Sequence, residues 1–165
     1  MRFSTFYLSA LLAIQSFTTN AAPLEIRSEC SVLAPGQYII SSAETGWKLR
    51  PYHHSHAPPA INTLETEPTG QSGVWLITGA PQSAYYITNV GENAPVLTLQ
   101  YGGAPQPYTA WGADAVAFAI QCAGAETYVI KNPVADEVWT ADPGAWVKIL
   151  GANGDISQRF IFTPV

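Results

Sequence analysis

Short alternations of apolar and polar residues recur along this chain, and three of them begin alike. They are Gln37-Tyr38-Ile39-Ile40-Ser41, Tyr85-Tyr86-Ile87-Thr88-Asn89 and Thr127-Tyr128-Val129-Ile130-Lys131. Alternation with period two is the mark of a half-buried β-strand. With Tyr38, Tyr86 and Tyr128 taken as equivalent, the starts stand 48 and 42 residues apart. Turn-rich stretches follow each start: Ala43–Gly46, Gly91–Pro95 and Pro133–Asp136. Eleven residues past each tyrosine stands a large apolar residue: Leu49, Leu97 and Trp139. Each segment therefore predicts two short strands joined by a turn.

Each segment also closes alike. Val74-Trp75-Leu76-Ile77, Val116-Ala117-Phe118-Ala119-Ile120 and Arg159-Phe160-Ile161-Phe162 carry an aromatic followed two residues on by Ile77, Ile120 or Phe162. Residues two apart on a strand share a face. A further candidate strand precedes each close, at Ile61–Glu65, Tyr108–Trp111 and Trp146–Leu150. In the last copy the two strands flank Asn153-Gly154, the strongest short hairpin signal. No stretch has the periodicity of an amphipathic helix, and 13 Gly with 13 Pro suit short strands and turns.

Four strands per copy and three copies predict an all-β chain: a β-trefoil of twelve short strands in three pseudo-repeats, a six-stranded barrel capped by three hairpins. The repeats fall at about 36–80, 83–122 and 125–163. A propeller needs more copies of such a unit. Equivalent residues should stack in layers about the axis: Tyr38, Tyr86 and Tyr128; Leu49, Leu97 and Trp139; and Trp75, Phe118 and Phe160. The first repeat is the longest, and its excess, Arg50–Ala60, reads as an inserted surface loop.

The N-terminus changes the setting. Arg2, the apolar run Phe6–Ile14 and Thr19-Asn20-Ala21 read as a secretory signal peptide over residues 1–21, leaving 22–165 as the trefoil domain. The apolar run is about half the length that spans a bilayer. Cys30 and Cys122, an even pair behind such a leader, predict one disulfide. The expected setting is extracellular, at the cell wall or cell surface, as a monomer without membrane insertion.

Charge narrows the partners. The full chain carries 7 Lys+Arg against 12 Asp+Glu, a net −5, and losing Arg2 makes it more negative. With no basic run, nucleic acid is excluded as a partner, since phosphate neutralisation dominates that affinity. Catalytic motifs are missing: there is no G-x-S-x-G, H-E-x-x-H or P-loop. The chain therefore reads as no enzyme, with no cofactor. His53, His54 and His56 could offer imidazoles to a metal, but on a Pro-rich loop without a rigid second shell they read as an exposed loop. Trp47, Tyr52, Tyr101, Tyr108 and Trp146 lie outside the expected core. They are the candidate ligand-binding residues, because exposed Trp and Tyr stack on sugars and anchor protein interfaces. Trp111 could belong to core or surface.

From Gly36 to Phe162 the pattern resembles ricin-type β-trefoil lectins and, more loosely, fungal β-trefoil lectins and protease inhibitors. Ricin-type modules carry Gln-x-Trp in each closing strand. Gln158-Arg159-Phe160 approximates it, while the other copies read Gly73-Val74-Trp75 and Val116-Ala117-Phe118. The family's aspartate after the second-strand anchor is replaced by Arg50 and Thr98, and only the displaced Asp142 stands near the third. No family binding residue is carried over. The resemblance implies a non-catalytic, lectin-like binding protein whose partner is a glycan, a cell-wall polysaccharide or an extracellular protein. The alternatives are a protease inhibitor presenting the Pro51–Pro59 loop, and a structural or immune-masking spore-wall or virulence protein.

Overall fold

The computed structural model describes residues 30–54, 58–80, 83–101 and 103–165; the expected signal peptide and His56 lie outside them. Twelve strands occur among the described residues. The first repeat holds β1 (Gly36–Ser42), β2 (Leu49–Tyr52), β3 (Ala60–Thr63) and β4 (Val74–Ala80). The second holds β5 (Ala84–Asn89), β6 (Ala94–Tyr101), β7 (Ala104–Thr109) and β8 (Ala119–Gly124). The third holds β9 (Thr127–Lys131), β10 (Glu137–Thr140), β11 (Lys148–Gly151) and β12 (Phe160–Pro164).

The first and last strands of each repeat make the barrel. β1 pairs with β12 and β4, β4 with β5, and β9 with β8 and β12, all antiparallel. The ring closes where Tyr85 and Phe118 exchange backbone hydrogen bonds of 2.8 Å each way. The middle strands pair as β2–β3, β6–β7 and β10–β11 and cap one end. This is the β-trefoil.

Inside, the repeats stack as layers, with one correction to the expected register. Tyr38, Tyr85 and Tyr128 are buried, whereas Tyr86 is 39% exposed. Likewise Leu49, Val96 and Trp139 are buried, and Leu97 is only half-buried. Repeat two is thus displaced by one residue from the Tyr86/Leu97 register, and a one-residue slip turns every side chain to the other face. The true motif is Tyr-x-Ile-x-Ser/Asn, at Tyr38–Ser42, Tyr85–Asn89 and Tyr128–Asn132. Trp75, Phe118 and Phe160 fill the layer beneath the cap. Trp139 meets Phe118 and Phe160 edge-to-face, at centroid distances of 5.4 and 6.4 Å.

The Asn153-Gly154 hairpin does not form. β11 pairs with β10, and β12 joins the barrel instead. A 3₁₀ turn, Ile156–Gln158, separates them. Buried Gln158 organises this connection: its Oε1 accepts from Asn153 and Gly154 N–H, and its Nε2 donates to Gly151 O and Thr140 Oγ1. The Gln of the degenerate Gln-x-Trp triplet is thus a structural clamp.

At the barrel end away from the hairpins, the segment Cys30–Ala34 lies across the opening. The hydroxyls of Tyr38, Tyr85 and Tyr128 donate to the carbonyls of Ala34, Leu33 and Ser31, at 2.7, 2.9 and 2.7 Å. Cys30 is disulfide-bonded to Cys122, with Cα atoms 5.5 Å apart. Burial, aided by the neighbouring Tyr128 and Tyr38, raises the Tyr85 phenol above its ordinary value of 10.0.

Candidate functional site

The outer face of the hairpin cap gathers several of the sequence candidates. In the β2–β3 hairpin Tyr52 pairs with Ala60 and Arg50 with Asn62. On its other side β3 pairs Ala60 with Tyr108, and an isolated bridge joins Asn62 to Trp146. Directly paired residues point to the same side of a sheet. Tyr52, Tyr108 and Trp146 therefore share one face, with small Ala60 between the two tyrosines. The opposite face, carrying Leu49 and Ile61, is buried in the core.

Tyr52 is 41% exposed, and Tyr108 and Trp146 are half-buried. The Tyr52 and Trp146 rings meet at 5.4 Å and 72°, forming a corner rather than one flat platform. His54 approaches Trp146 edgewise, with centroids 6.5 Å apart. Arg50 Nε and Asn62 Oδ1 are buried on this face without a hydrogen-bond partner among the described residues, although Arg50 Nη2 donates to Thr66. Asn62 itself is only 6% exposed. Buried polar groups are ordinarily paired, so these two hold unspent hydrogen-bonding capacity.

A second group borders the first. His53 Nε2 lies 2.5 Å from Glu92 Oε1, and Thr109 Oγ1 donates to Glu92 Oε2 at 2.7 Å. The Trp111 indole N–H donates to the Glu92 carbonyl at 2.5 Å. Glu92 occupies the β5–β6 turn and His53 follows β2, so the carboxylate ties repeat two to repeat one. Trp111 is 74% exposed, the most exposed aromatic side chain among the described residues. It belongs to the surface, held at its edge and open on its faces.

The remaining candidates lie apart. Trp47 is half-buried beside the Gly144 turn, where a Cβ on Gly144 would come within 3.9 Å of its ring. Tyr101 pairs with Ala104 at the β6–β7 tip, and its side chain lies outside the described residues. Among the described residues no group of three or more His, Cys, Asp or Glu could hold a metal. His53 faces Glu92 and His54 faces Trp146.

Sequence reasoning missed Glu92, Thr109 and Trp111 as neighbours of the candidate loop. Glu92 meets His53 across 39 residues, and Thr109 and Trp111 meet Glu92 across 17 and 19, so the cluster follows no local spacing. The only local signal was an unassigned Trp flanked by turn residues, Ala110-Trp111-Gly112.

Solved structures share this architecture. The chain is similar to a Macrolepiota procera ricin B-like lectin solved with lactose, at 11% identity and a TM-score of 0.65, covering 82% of this chain and 99% of that one. It is similar to the Rhizoctonia solani agglutinin, at 17% identity and a TM-score of 0.68, with the same coverage. It is also similar to a proteinase inhibitor from Coprinopsis cinerea, at 20% identity and a TM-score of 0.63, covering 81% and 99%. No protein-family profile matches the chain, and no curated protein sequence matches it. At these identities the likeness establishes the β-trefoil fold and nothing finer.

Proposed function

We propose that the protein is a secreted, non-catalytic carbohydrate-binding protein acting at a cell wall or cell surface. The observation that carries this reading is the Tyr52–Trp146 corner on the outer cap face, with Tyr108 across Ala60. Aromatic rings of this kind offer apolar faces to the C–H side of a sugar, and nearby amides and guanidinium groups suit its hydroxyls. The lactose-bound lectin of the same fold supports carbohydrate as the ligand class. The disulfide and the leader pattern support secretion. A glycan array, followed by titration of any hit with Trp146→Ala, tests the proposal. Binding lost at Trp146 with the near-UV circular dichroism otherwise preserved is the expected result. Absence of binding across host and cell-wall glycans would remove the lectin reading.

One observation favours a second reading, protease inhibition. Both ends of the 53–59 loop are fastened: Tyr52 packs on Trp146, His53 bonds Glu92, and Pro59 O accepts from Thr109 N at 2.9 Å. A loop held at its ends loses less freedom on entering an enzyme cleft. The Coprinopsis cinerea inhibitor has the same fold. Inhibition assays across serine, cysteine and aspartic proteases separate the two readings.

A further inference from the structure

We infer that the ligand of the cap face is an extended, uncharged oligosaccharide whose far end stacks on Trp111, rather than a single terminal sugar. The inference rests on the carbohydrate reading above and specifies its ligand. It begins with spacing. Tyr52, Ala60 and Tyr108 lie on three adjacent strands in one register row. Strands stand about 4.8 Å apart, so the two tyrosine backbones are separated by about 10 Å. That is the run of two consecutive pyranose rings in an extended chain. A lone sugar covers one ring of this row and leaves the other wet.

Trp111 stands beside this row, past the end of β7 and along the chain from Tyr108 rather than across the strands. It follows Tyr108 by three residues, and its N–H is held on the same Glu92 that holds His53, the residue after Tyr52. The hydrogen bond fixes the indole edge, while 74% exposure leaves its faces bare. A large aromatic immobilised in the free state binds with little further loss of side-chain freedom. Nothing in the packing of the barrel calls for it, because the core aromatic of this repeat is Phe118.

Charge sets the class of sugar. Glu92 lies between Trp111 and His53 and disfavours acidic sugars. The neighbouring lysines are paired with carboxylates, Lys148 with Asp142 at 3.3 Å and Lys48 with Glu67, while Arg50 keeps its charge and donates to the neutral Thr66 hydroxyl. The whole chain is net −5. An uncharged chain meets none of these penalties.

The test is isothermal titration of the full mature protein with uncharged β-linked glucose, N-acetylglucosamine and galactose oligomers, from monosaccharide to hexasaccharide, beside oligogalacturonate. Affinity should rise about tenfold or more with length in one neutral series. Trp111→Ala should abolish the rise while leaving the short-ligand affinity within about twofold, and Trp111→Phe should restore part of it. The thermal midpoint of both variants should match the parent. Length-independent affinity, a rise that survives Trp111→Ala, or tighter binding of oligogalacturonate overturns the inference and leaves the carbohydrate reading standing. No binding by any member sinks the carbohydrate reading, and this inference with it.

Discussion

The two ends of the barrel treat the threefold repeat in opposite ways. At the end away from the hairpins, Tyr38, Tyr85 and Tyr128 are equivalent, all buried and all engaged, each giving its hydroxyl to the Cys30–Ala34 segment. On the outer cap face the symmetry is gone. The Arg50–Asn62 pair of repeat one is matched by Leu97–Tyr108 and Thr140–Lys148 in the other two. Symmetric positions are the ones every repeat needs in order to close the barrel, and they are buried. Among the asymmetric positions Arg50, Leu97, Tyr108 and Lys148 are half-exposed, and there the rings gather around Arg50 Nε and Asn62 Oδ1, which have no partner among the described residues. The repeat is therefore a record of folding, and its departures are where binding is to be sought.

Perturbations at the closed end should cost stability and spare ligand binding. The largest effect is expected from Cys30→Ser with Cys122→Ser. The bond spans 92 residues, and opening a loop of that size lowers stability by about 4–5 kcal/mol. Chemical denaturation of the oxidised protein and the variant measures it. Next is Tyr85→Phe, which leaves the Leu33 carbonyl without its donor, at a cost of about 1–3 kcal/mol. Tyr86→Phe should change stability by less than about 0.5 kcal/mol, because Tyr86 faces solvent. Equal losses at the two tyrosines would break the assigned register.

Alkaline titration sharpens the same contrast. The Tyr85 phenol is raised in the folded state, so the folded protein holds its proton more tightly than the unfolded chain does. The stability linked to this proton is complete below pH 10 and is lost as pH rises through the folded value. Unfolding on the alkaline side, followed by tyrosinate absorbance, should accompany Tyr85 ionisation and shift in Tyr85→Phe. A modest stability change is expected at the cap. Trp146→Ala removes an edge-to-face contact worth about 1 kcal/mol and leaves the barrel intact, yet should abolish glycan binding.

Much of this contrast was legible in the chain before any coordinates. The closing aromatics Trp75, Phe118 and Phe160 lie in the core as expected, because their alternation with Ile77, Ile120 and Phe162 is unambiguous. The sequence reading of repeat two is off by one residue because Tyr85-Tyr86 offers two tyrosines in a row, and only the Ile and Asn of Tyr-x-Ile-x-Asn, at Ile87 and Asn89, distinguish them. The Asn153-Gly154 signal misled for another reason. A turn propensity says where the chain bends but not which strand it meets next, and Gln158 ties that bend down from a distance. The ring-bearing residues of the cap were visible as a list, but not their assembly. Tyr52, Tyr108 and Trp146 come from three repeats, and only the pairing of β3 with its neighbours joins them. Glu92 was invisible because an acid in a turn reads as solvated charge until His53 and Thr109 are seen to close on it.

The most direct measurement is a residue-resolved amide NMR titration with the best oligosaccharide from the array. The account predicts shifts confined to Arg50–His54, Ala60–Asn62, Tyr108–Trp111 and Ala145–Lys148, with Ser31–Ala34 and the buried tyrosines unmoved. Shifts at three symmetry-related positions, or at the tyrosine-closed end of the barrel, would contradict it.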